Sequence, residues 1–540
     1  MQQAELEEDP YELKRIIVLD NDKNTMANGD AADGTDHNHH HNHHHHVTSN
    51  GLIGKSDVAN GRIFSKAVVT TNNNNNSNNS KKRQQVGSDE PTLFAKVHHR
   101  HDRAEAARGA LDARKLSTNS DDPECFHRAI GPILLLAQFF GILPINFIRA
   151  ESITKLSFRK LGPRVVYSYC VLCCIVFMTS VSFLHLFVTL NASSFQTRGG
   201  IADATAGAVF YGNSLLGNFM FLRLCPRWIA VQYDWRAMER LLDKVKTKRP
   251  RLRWRFATIA AAILGLALVE HLLSMVNNTP ASVVGGNHSF EEFLAVYTQK
   301  SHGFIIKHVD YNFTLGLFIF FISKISTFTW NFTDVFIMMV STGIAERYKV
   351  LNARLVGLTT SQLTVSDWHD LRECYASLSV LVKKIDDEIS GIILLSFGNN
   401  IYFICLQLLN GLSPSGDDAS LVNSIYFFGS FIFLIGRTIS VTLLTARISD
   451  QCKVILPVLY NCPSANFCME AQRLQQQIAS DDVALTGLRF FSITRNFMLA
   501  VAGAIVTYEV VLLQFNIALQ REEDFLEEQL LYANLDDDDD

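Results

Sequence analysis

Few residues in this 540-residue chain stand at spacings that chemistry requires. A histidine tract from His37 to His46, broken by Asn38 and Asn42, has ligands for Zn²⁺ or Ni²⁺, although a tolerated repeat expansion reads the same way. Cys170-x-x-Cys173 has the spacing of a metal or redox pair, but it lies inside an unbroken apolar stretch where cysteines serve packing. There is no Gly-rich phosphate loop, no nucleophile elbow and no metal-ligand pair on an accessible helix. The expectation is therefore no enzyme activity, no cofactor and no resident metal. What remains is a set of ionisable residues in apolar surroundings: Glu270, His271, Lys324, Asp334, Arg437 and Glu509. Such groups are expensive inside hydrocarbon, so each marks function or pairing.

The elements that position them are membrane spans. Apolar residues make up 48% of the chain and charged residues only 19%, with 37 phenylalanines, although the first 120 or so residues are strongly polar. The remainder is too apolar for a soluble enzyme or a secreted disulfide scaffold. A net charge of −4 gives no reason to expect a nucleic-acid partner. Stretches of spanning length are Val165–Leu190, Ile201–Leu224, Phe256–Val276, Phe313–Val340, Ile389–Leu412, Leu421–Ala446 and Phe497–Ala518. The predicted fold is an all-α membrane protein of seven spans. Ala129–Pro144 is shorter and carries Pro132, Gln138 and Pro144, and reads as a half-buried helix on the inner face of the bilayer.

Charge sets the orientation. Lys and Arg crowd the segments from Arg223 to Arg255 and from Arg347 to Lys384, whereas the opposite side holds only Arg198, Lys300, Lys307 and Arg521. By the inside-positive rule the N-terminus is inside and the C-terminus outside, the reverse of a G-protein-coupled receptor. The sequons at Asn191, Asn277 and Asn287 all fall in loops assigned outside and are glycosylation candidates. None of the ten cysteines falls in an outside loop, so no extracellular disulfide is expected.

Three regions follow. Residues 1–123 are a low-complexity inner segment, with an Asn run from Asn72 to Asn79 and a basic triplet Lys81-Lys82-Arg83, and are expected to be disordered. Residues 124–518 form the helical domain, and 519–540 an acidic outer tail ending in five aspartates. Inside the membrane line, a helix running past Val340 breaks at Gly357–Ser361 and a second begins near Ser366, with Thr364 and Asp367 at capping-box spacing. The apolar period of Phe467–Phe491 also reads as helix. These stripes need burial, either where subunits meet or in a hairpin within one subunit.

On the last span Ala500, Gly503, Thr507, Val511, Gln514 and Ala518 fall on one stripe roughly 80° wide. Small, hydroxyl, amide and aliphatic residues in register suit either a pore lining built from several copies or a helix-packing seam. Tyr508 and Phe515 share a neighbouring face, and Glu509 points away from the stripe.

The run Thr507-Tyr508-Glu509-Val510-Val511-Leu512-Leu513-Gln514-Phe515 matches the TYhhhhhQF signature (h, hydrophobic) of insect gustatory receptors, in the last span where that family has it. Glu509 at the third motif position, and FHRAIGPILLLAQFFGILPI ahead of the first span, resemble the sugar-receptor branch. The resemblance covers about residues 124–518, and the long repetitive N-terminal segment departs from it. It implies the insect chemoreceptor channel fold, with four subunits around a pore lined by the last helix, as a homo- or heterotetramer with related receptors. It also implies a pocket open to the outside in each subunit, direct gating of a cation-permeable pore by sugars, and residence in the plasma membrane of gustatory neuron dendrites. Thr507 and Gln514 become pore residues on that basis, with Val511 added from helical geometry as a gate, and Tyr508 and Phe515 packing against the adjacent subunit.

Depth along the spans pairs Lys324 with Glu509 and Asp334 with Arg437 as structural ion pairs. For a sugar, hydrogen-bonding side chains and an aromatic face are needed. Glu270, His271, Asn400, Tyr402, Gln407 and Tyr426 supply the first and Trp330 the second, although interhelical hydrogen bonding accounts for any one of them alone. The competing readings are a channel of the same fold tuned to bitter or odorant ligands, a seven-helix G-protein-coupled receptor, which the charge asymmetry opposes, and a transporter, for which no internal repeat is present.

Overall fold

The computed structural model of the chain describes residues 122–191, 200–243, 250–279, 289–306, 310–359, 363–412, 421–465 and 467–511, with isolated positions at 514, 517, 521 and 525. The histidine and asparagine tracts, Asn287, Phe515 and Ala518 lie outside them.

Helices dominate: α1 (Phe126–Phe139), α2 (Pro163–Asn191), α3 (Gly200–Leu242), α4 (Leu252–Asn277), α5 (Phe290–Ile306), α6 (Phe313–Thr359), α7 (Val365–Leu412), α8 (Leu421–Lys453), α9 (Leu456–Tyr460) and α10 (Met469–Ser480). A short hairpin follows, β1 (Thr486–Gly487) and β2 (Phe491–Ser492), and then a terminal helix from residue 495 onward. The helices α2, α4, α6, α7 and α8 each contain a stretch long and apolar enough to cross a membrane. This is a multi-pass membrane protein. Seven spans were expected from the sequence, and five of the helices have the composition for it among the described residues. Helix α3 is long but interrupts its apolar run with Asn213, Ser214, Asn218, Arg223 and Arg227, and lies against α2, α6 and α7.

The main core is at the end of the bundle away from α5. Phe126 opens α1 by stacking on Trp235 at 3.6 Å between ring centroids, with the edge of Phe256 at 5.6 Å. Its amide donates to Glu239 Oε1, which also receives Arg347 Nη2 at 2.6 Å. At fourteen residues α1 is too short to span, and it buries one face while exposing Leu135, Leu136 and Phe139 on the other. Helix α4 buries Leu252, Phe256, Ala260, Ile263 and Ala267, a stripe at helical period that stops short of Glu270. Tight packing thus fades toward the α5 end, where a smaller cluster of Val171, Ile175, Met178, Tyr211, Ile305, Ile319 and Ile322 gathers.

The capping box at the start of α7 forms. Asp367 Oδ2 accepts from the Thr364 amide at 3.0 Å and hydroxyl at 2.7 Å, while the Asp367 amide donates to Thr364 Oγ1 at 3.3 Å. These bonds to the charged form hold the Asp367 carboxyl below its ordinary pKa. The apolar stripe of α7, from Trp368 through Leu371, Tyr375 and Leu378, receives Ala471, Leu474 and Ile478 of α10 within the same chain, so these are not free subunit faces.

The reading of Phe467–Phe491 as one helix is corrected. The helix ends at Ser480, and the chain turns through residues of left-handed backbone, Leu488 (φ 48°) and Arg489 (φ 63°), between β1 and β2. Successive left-handed residues suit the right-handed twist of a hairpin. Asp386 on α7 anchors it, accepting the Thr486 amide at 2.6 Å and hydroxyl at 2.8 Å. A Cβ at Gly487 would overlap the Phe491 ring.

Candidate ligand site and terminal helix

Two of the buried polar clusters lie on helices α4, α6, α7 and α8. Helical spacing places Trp330 and Asp334 on one face of α6, and Ser396 and Asn400 on one face of α7, each pair four residues apart. Asp334 and Arg437 come together, with Arg437 Nε 3.0 Å from Asp334 Oδ2 and both side chains almost fully buried. Ser396 Oγ donates to Asp334 Oδ1, and Asn400 Nδ2 to Asp334 Oδ2 at 3.0 Å. Arg437 Nη1 donates to Asn331 Oδ1 and Nη2 to Asn400 Oδ1 at 3.0 Å. The Trp330 ring carries the Arg437 guanidinium at 4.5 Å and donates Nε1–H to Asn400 Oδ1 at 3.0 Å. One Trp330 face is therefore occupied by a cation and is not available as an aromatic platform.

Two turns along α8, about 10 Å nearer the α5 end, Ser430 joins the second cluster. Ser430 Oγ donates to Glu270 Oε1 at 3.1 Å and accepts from Gln407 Nε2 at 3.0 Å. Three helices thus meet at one hydroxyl. Tyr426 lies one turn before Ser430 and is half-buried. Gln407 Oε1 and His271 Nε2 are buried with no hydrogen-bond partner among the described residues. Unpaired polar atoms of this kind carry a cost that a hydroxylated ligand would relieve. Tyr402 is separate from this group, its hydroxyl donating to Thr205 Oγ1 on α3 at 2.9 Å.

The pairing of Lys324 with Glu509 is overturned. Lys324 Nζ donates to the Tyr297 hydroxyl of α5 at 2.9 Å and lies over the Tyr297 and Phe320 rings at 4.8 and 4.5 Å. Both carboxylate oxygens of Glu509 lack a hydrogen bond among the described residues. Nearby on α5, outside the membrane-length helices, buried His302 joins Tyr211 OH at 2.7 Å and Ser301 Oγ at 2.8 Å. Desolvation, with Lys324 adding repulsion, lowers its pKa from 6.5 to about 3. A depressed folded value means that the unfolded chain takes up the proton first, so this stability is whole above 6.5 and declines as pH falls toward 3. His302→Gln is expected to flatten the loss of thermal stability over that window, measured by unfolding of detergent-solubilised protein across the acid range.

At its base the terminal helix is held by aromatic contacts, where Phe497 stacks on Phe491 at 4.5 Å and meets Phe397 at 5.5 Å, and further along Val501, Ile505 and Glu509 are partly buried on one face. Beyond this, Leu499, Val506, Tyr508, Val510, Val511 and Ile517 are exposed, as are Thr507 and Gln514. The Thr507 hydroxyl donates back to Gly503 O at 2.9 Å. Of the sequons, Asn191 closes α2, while Asn277 ends α4 with its carbonyl taken by Lys300 Nζ at 2.9 Å and the Thr279 hydroxyl bonded to Met275 O. No cluster of metal-binding side chains occurs among the described residues.

Sequence reasoning passed over Asn331, Ser396, Ser430, Tyr297 and His302. The first three stand three, four and seven residues from residues already singled out, Asp334, Asn400 and Arg437, so helical spacing was a usable signal. The α5 residues carried none.

The family model described as Trehalose receptor matches residues 81–523. The chain is 34% identical to gustatory receptor for sugar taste 64f of Drosophila melanogaster, over 72% of this chain and 81% of that protein. It is 32% identical to gustatory receptor 5a for trehalose from the same insect, over 72% and 85%. Among solved structures, the insect olfactory receptor OR5 from Machilis hrabei superposes with a TM-score of 0.55 at 15% identity, covering 72% of this chain and 97% of that one. Its complex with eugenol gives 0.55 at 14% identity, with 73% and 100% covered. The bundle has the insect chemoreceptor fold.

Proposed function

The chain belongs to the trehalose receptor family, and from that premise we propose that it is a taste receptor for sugars that acts as a ligand-gated, non-selective cation channel. It is a receptor and not an enzyme. In this reading the seven-span subunit, with α3 and the terminal helix as the remaining spans, assembles as a homo- or heterotetramer in the plasma membrane of gustatory neurons. The N-terminal segment lies inside and the acidic tail outside.

The observation that carries the ligand assignment is the Glu270–Ser430–Gln407 cluster. It combines a carboxylate, a hydroxyl and an amide from different helices with polar atoms, Gln407 Oε1 and His271 Nε2, that are buried and unpartnered among the described residues. A site of this chemistry favours a polyhydroxylated ligand, because ligands lacking hydroxyls leave its polar groups unpaired. Tyr426 and His271 border it, whereas Asn400 and Trp330 belong to the deeper ion-pair cluster and fix helix positions beneath the ligand. The pore assignment draws on the terminal helix, whose exposed side holds Thr507, Val511 and Gln514 in register with nothing from its own chain packed across them among the described residues.

Whole-cell recording from a naive cell expressing the chain, alone and with related subunits, tests the reading. Sugars are expected to evoke cation current. Thiol reagents applied from the water should block it in cysteine variants at Thr507, Val511 or Gln514. Current evoked by bitter compounds and by no sugar would retain the channel and reject the sugar assignment, while full shielding of all three positions would reject the pore.

A further inference from the structure

The segment joining α1 to α2 builds a groove that neither the ligand cluster nor the terminal helix uses. Leu135, Asn146, Phe147, Arg149, Pro163 and Arg164 line it, and its volume is about 420 Å³. Local bonds fix its walls. Asn146 pairs with Ser157 across an antiparallel bridge, with its amide donating at 2.8 Å. Phe147 has left-handed backbone (φ 59°), a conformation that strains a bulky residue and turns the chain, and its carbonyl accepts the Ala150 amide at 2.8 Å. Gln138 Nε2 ties down the carbonyls of Leu143 and Ile145 at 2.9 and 2.7 Å.

The cations in the groove are presented, not neutralised. Arg164 Nη1 donates to Ile145 O at 3.1 Å and Gln138 Oε1 at 3.3 Å, which orients the guanidinium and leaves its other donors without partners among the described residues. Arg149 is exposed and makes no hydrogen bond or ion pair among the described residues. From Arg149 to Arg164 the chain carries five cations and a single carboxylate, Glu151. Of the groove's own apolar side chains, Leu135 is 38% and Phe147 62% exposed. A positive groove edged by exposed aromatic and aliphatic groups matches an amphiphile with a negative head and hydrocarbon tails.

We propose that this groove is a binding site for an anionic phospholipid, with Arg149 and Arg164 holding the headgroup phosphate and Phe147 and Leu135 packing along the upper acyl chain. Arg164 is the oriented donor and Arg149 the free one. The site fastens the α1–α2 elbow to the bilayer surface. It requires that the chain reside in a bilayer and is independent of what gates the receptor.

The test uses full-length protein in nanodiscs of mixed phosphatidylcholine and phosphatidylserine, with retained lipids counted by native mass spectrometry. Identical lipids on both faces make the result independent of orientation. Wild type is expected to retain phosphatidylserine preferentially, and Arg149→Gln to lower that preference about fivefold. Arg149 has no internal bond to lose, so this variant separates lipid binding from folding; Arg164→Gln should fall at least as far. Arg159→Gln, an exposed cation outside the groove, should match wild type. The proposal is overturned if wild type shows no preference, if Arg149→Gln keeps it, or if Arg159→Gln loses as much. Displacement of the lipid by inorganic phosphate at comparable concentration would also overturn it in favour of a free-anion site.

Discussion

Arg437→Met is expected to abolish sugar-evoked current and to remove most of the receptor from the cell surface. Arg437 is buried and faces Asp334, which has no exposed surface at all. Removing the cation leaves a carboxylate with the Ser396 and Asn400 donors but no countercharge, and breaking one side of a buried pair costs about 3–5 kcal/mol. That is a large part of the total stability of a typical folded protein. The loss extends further, because Asn331 loses its Arg437 donor, Asn400 keeps only the Trp330 indole on its oxygen, and the Trp330 face loses its guanidinium. Removing both charges, Asp334→Asn with Arg437→Met, should restore much of the surface expression, since no uncompensated charge remains. Exchanging the two residues should restore less, because Trp330 and Asn331 are arranged around a cation on α8. Surface biotinylation and saturating-sugar current, measured for the single and double variants, decide it. Wild-type surface levels for Arg437→Met, or a double neutral variant no better than the single, would defeat the ion-pair account.

The contrast between the two charge pairings shows how far a sequence of this kind can be read. Depth along a span follows from counting residues at a fixed rise, so Asp334 and Arg437 could be matched by level. Level says nothing about azimuth. Lys324 and Glu509 also match in level, yet Lys324 turns to Tyr297 on α5, a helix outside the membrane-length set whose docking no periodicity reports. The same limit explains the hairpin. Met469, Leu474 and Ile478 are helical in period, and the pattern continues by chance through Val483, Leu485 and Leu488, although Val483 and Leu485 are two apart and buried as in an extended chain. The turn that ends the pattern uses Leu488 and Arg489 in left-handed backbone, with no Asn or Gly at those positions to signal it. The tie to Asp386, about a hundred residues away in sequence, holds it. Helix limits were legible to within four residues at both ends of α2 and α4. They were less so for α3, whose helix runs on through Arg223 and Arg227 to Leu242 because tertiary packing carries it.

Glu270→Ala is expected to raise the sugar concentration for half-maximal current about 10- to 100-fold while leaving surface expression near wild type. A hydrogen bond to a charged group contributes roughly 1.5–3 kcal/mol, which spans that range. Glu270 uses Oε1 to accept from Ser430, and its Oε2 has no partner among the described residues. It lies past the last tightly packed turn of α4, so truncation opens little new cavity in the core, unlike a change at Ala267 or Ile263. Glu270→Gln keeps an acceptor for Ser430 but loses the charge, and should fall between wild type and alanine. Deoxy-sugars provide the deciding comparison. If Glu270 accepts a particular hydroxyl, the analogue lacking it should be weak on wild type and no weaker still on Glu270→Ala, because the same contact has been removed twice. Additive losses for every deoxy position would place the sugar elsewhere, and an unshifted dose response at matched surface expression would remove the Glu270–Ser430–Gln407 cluster from ligand recognition.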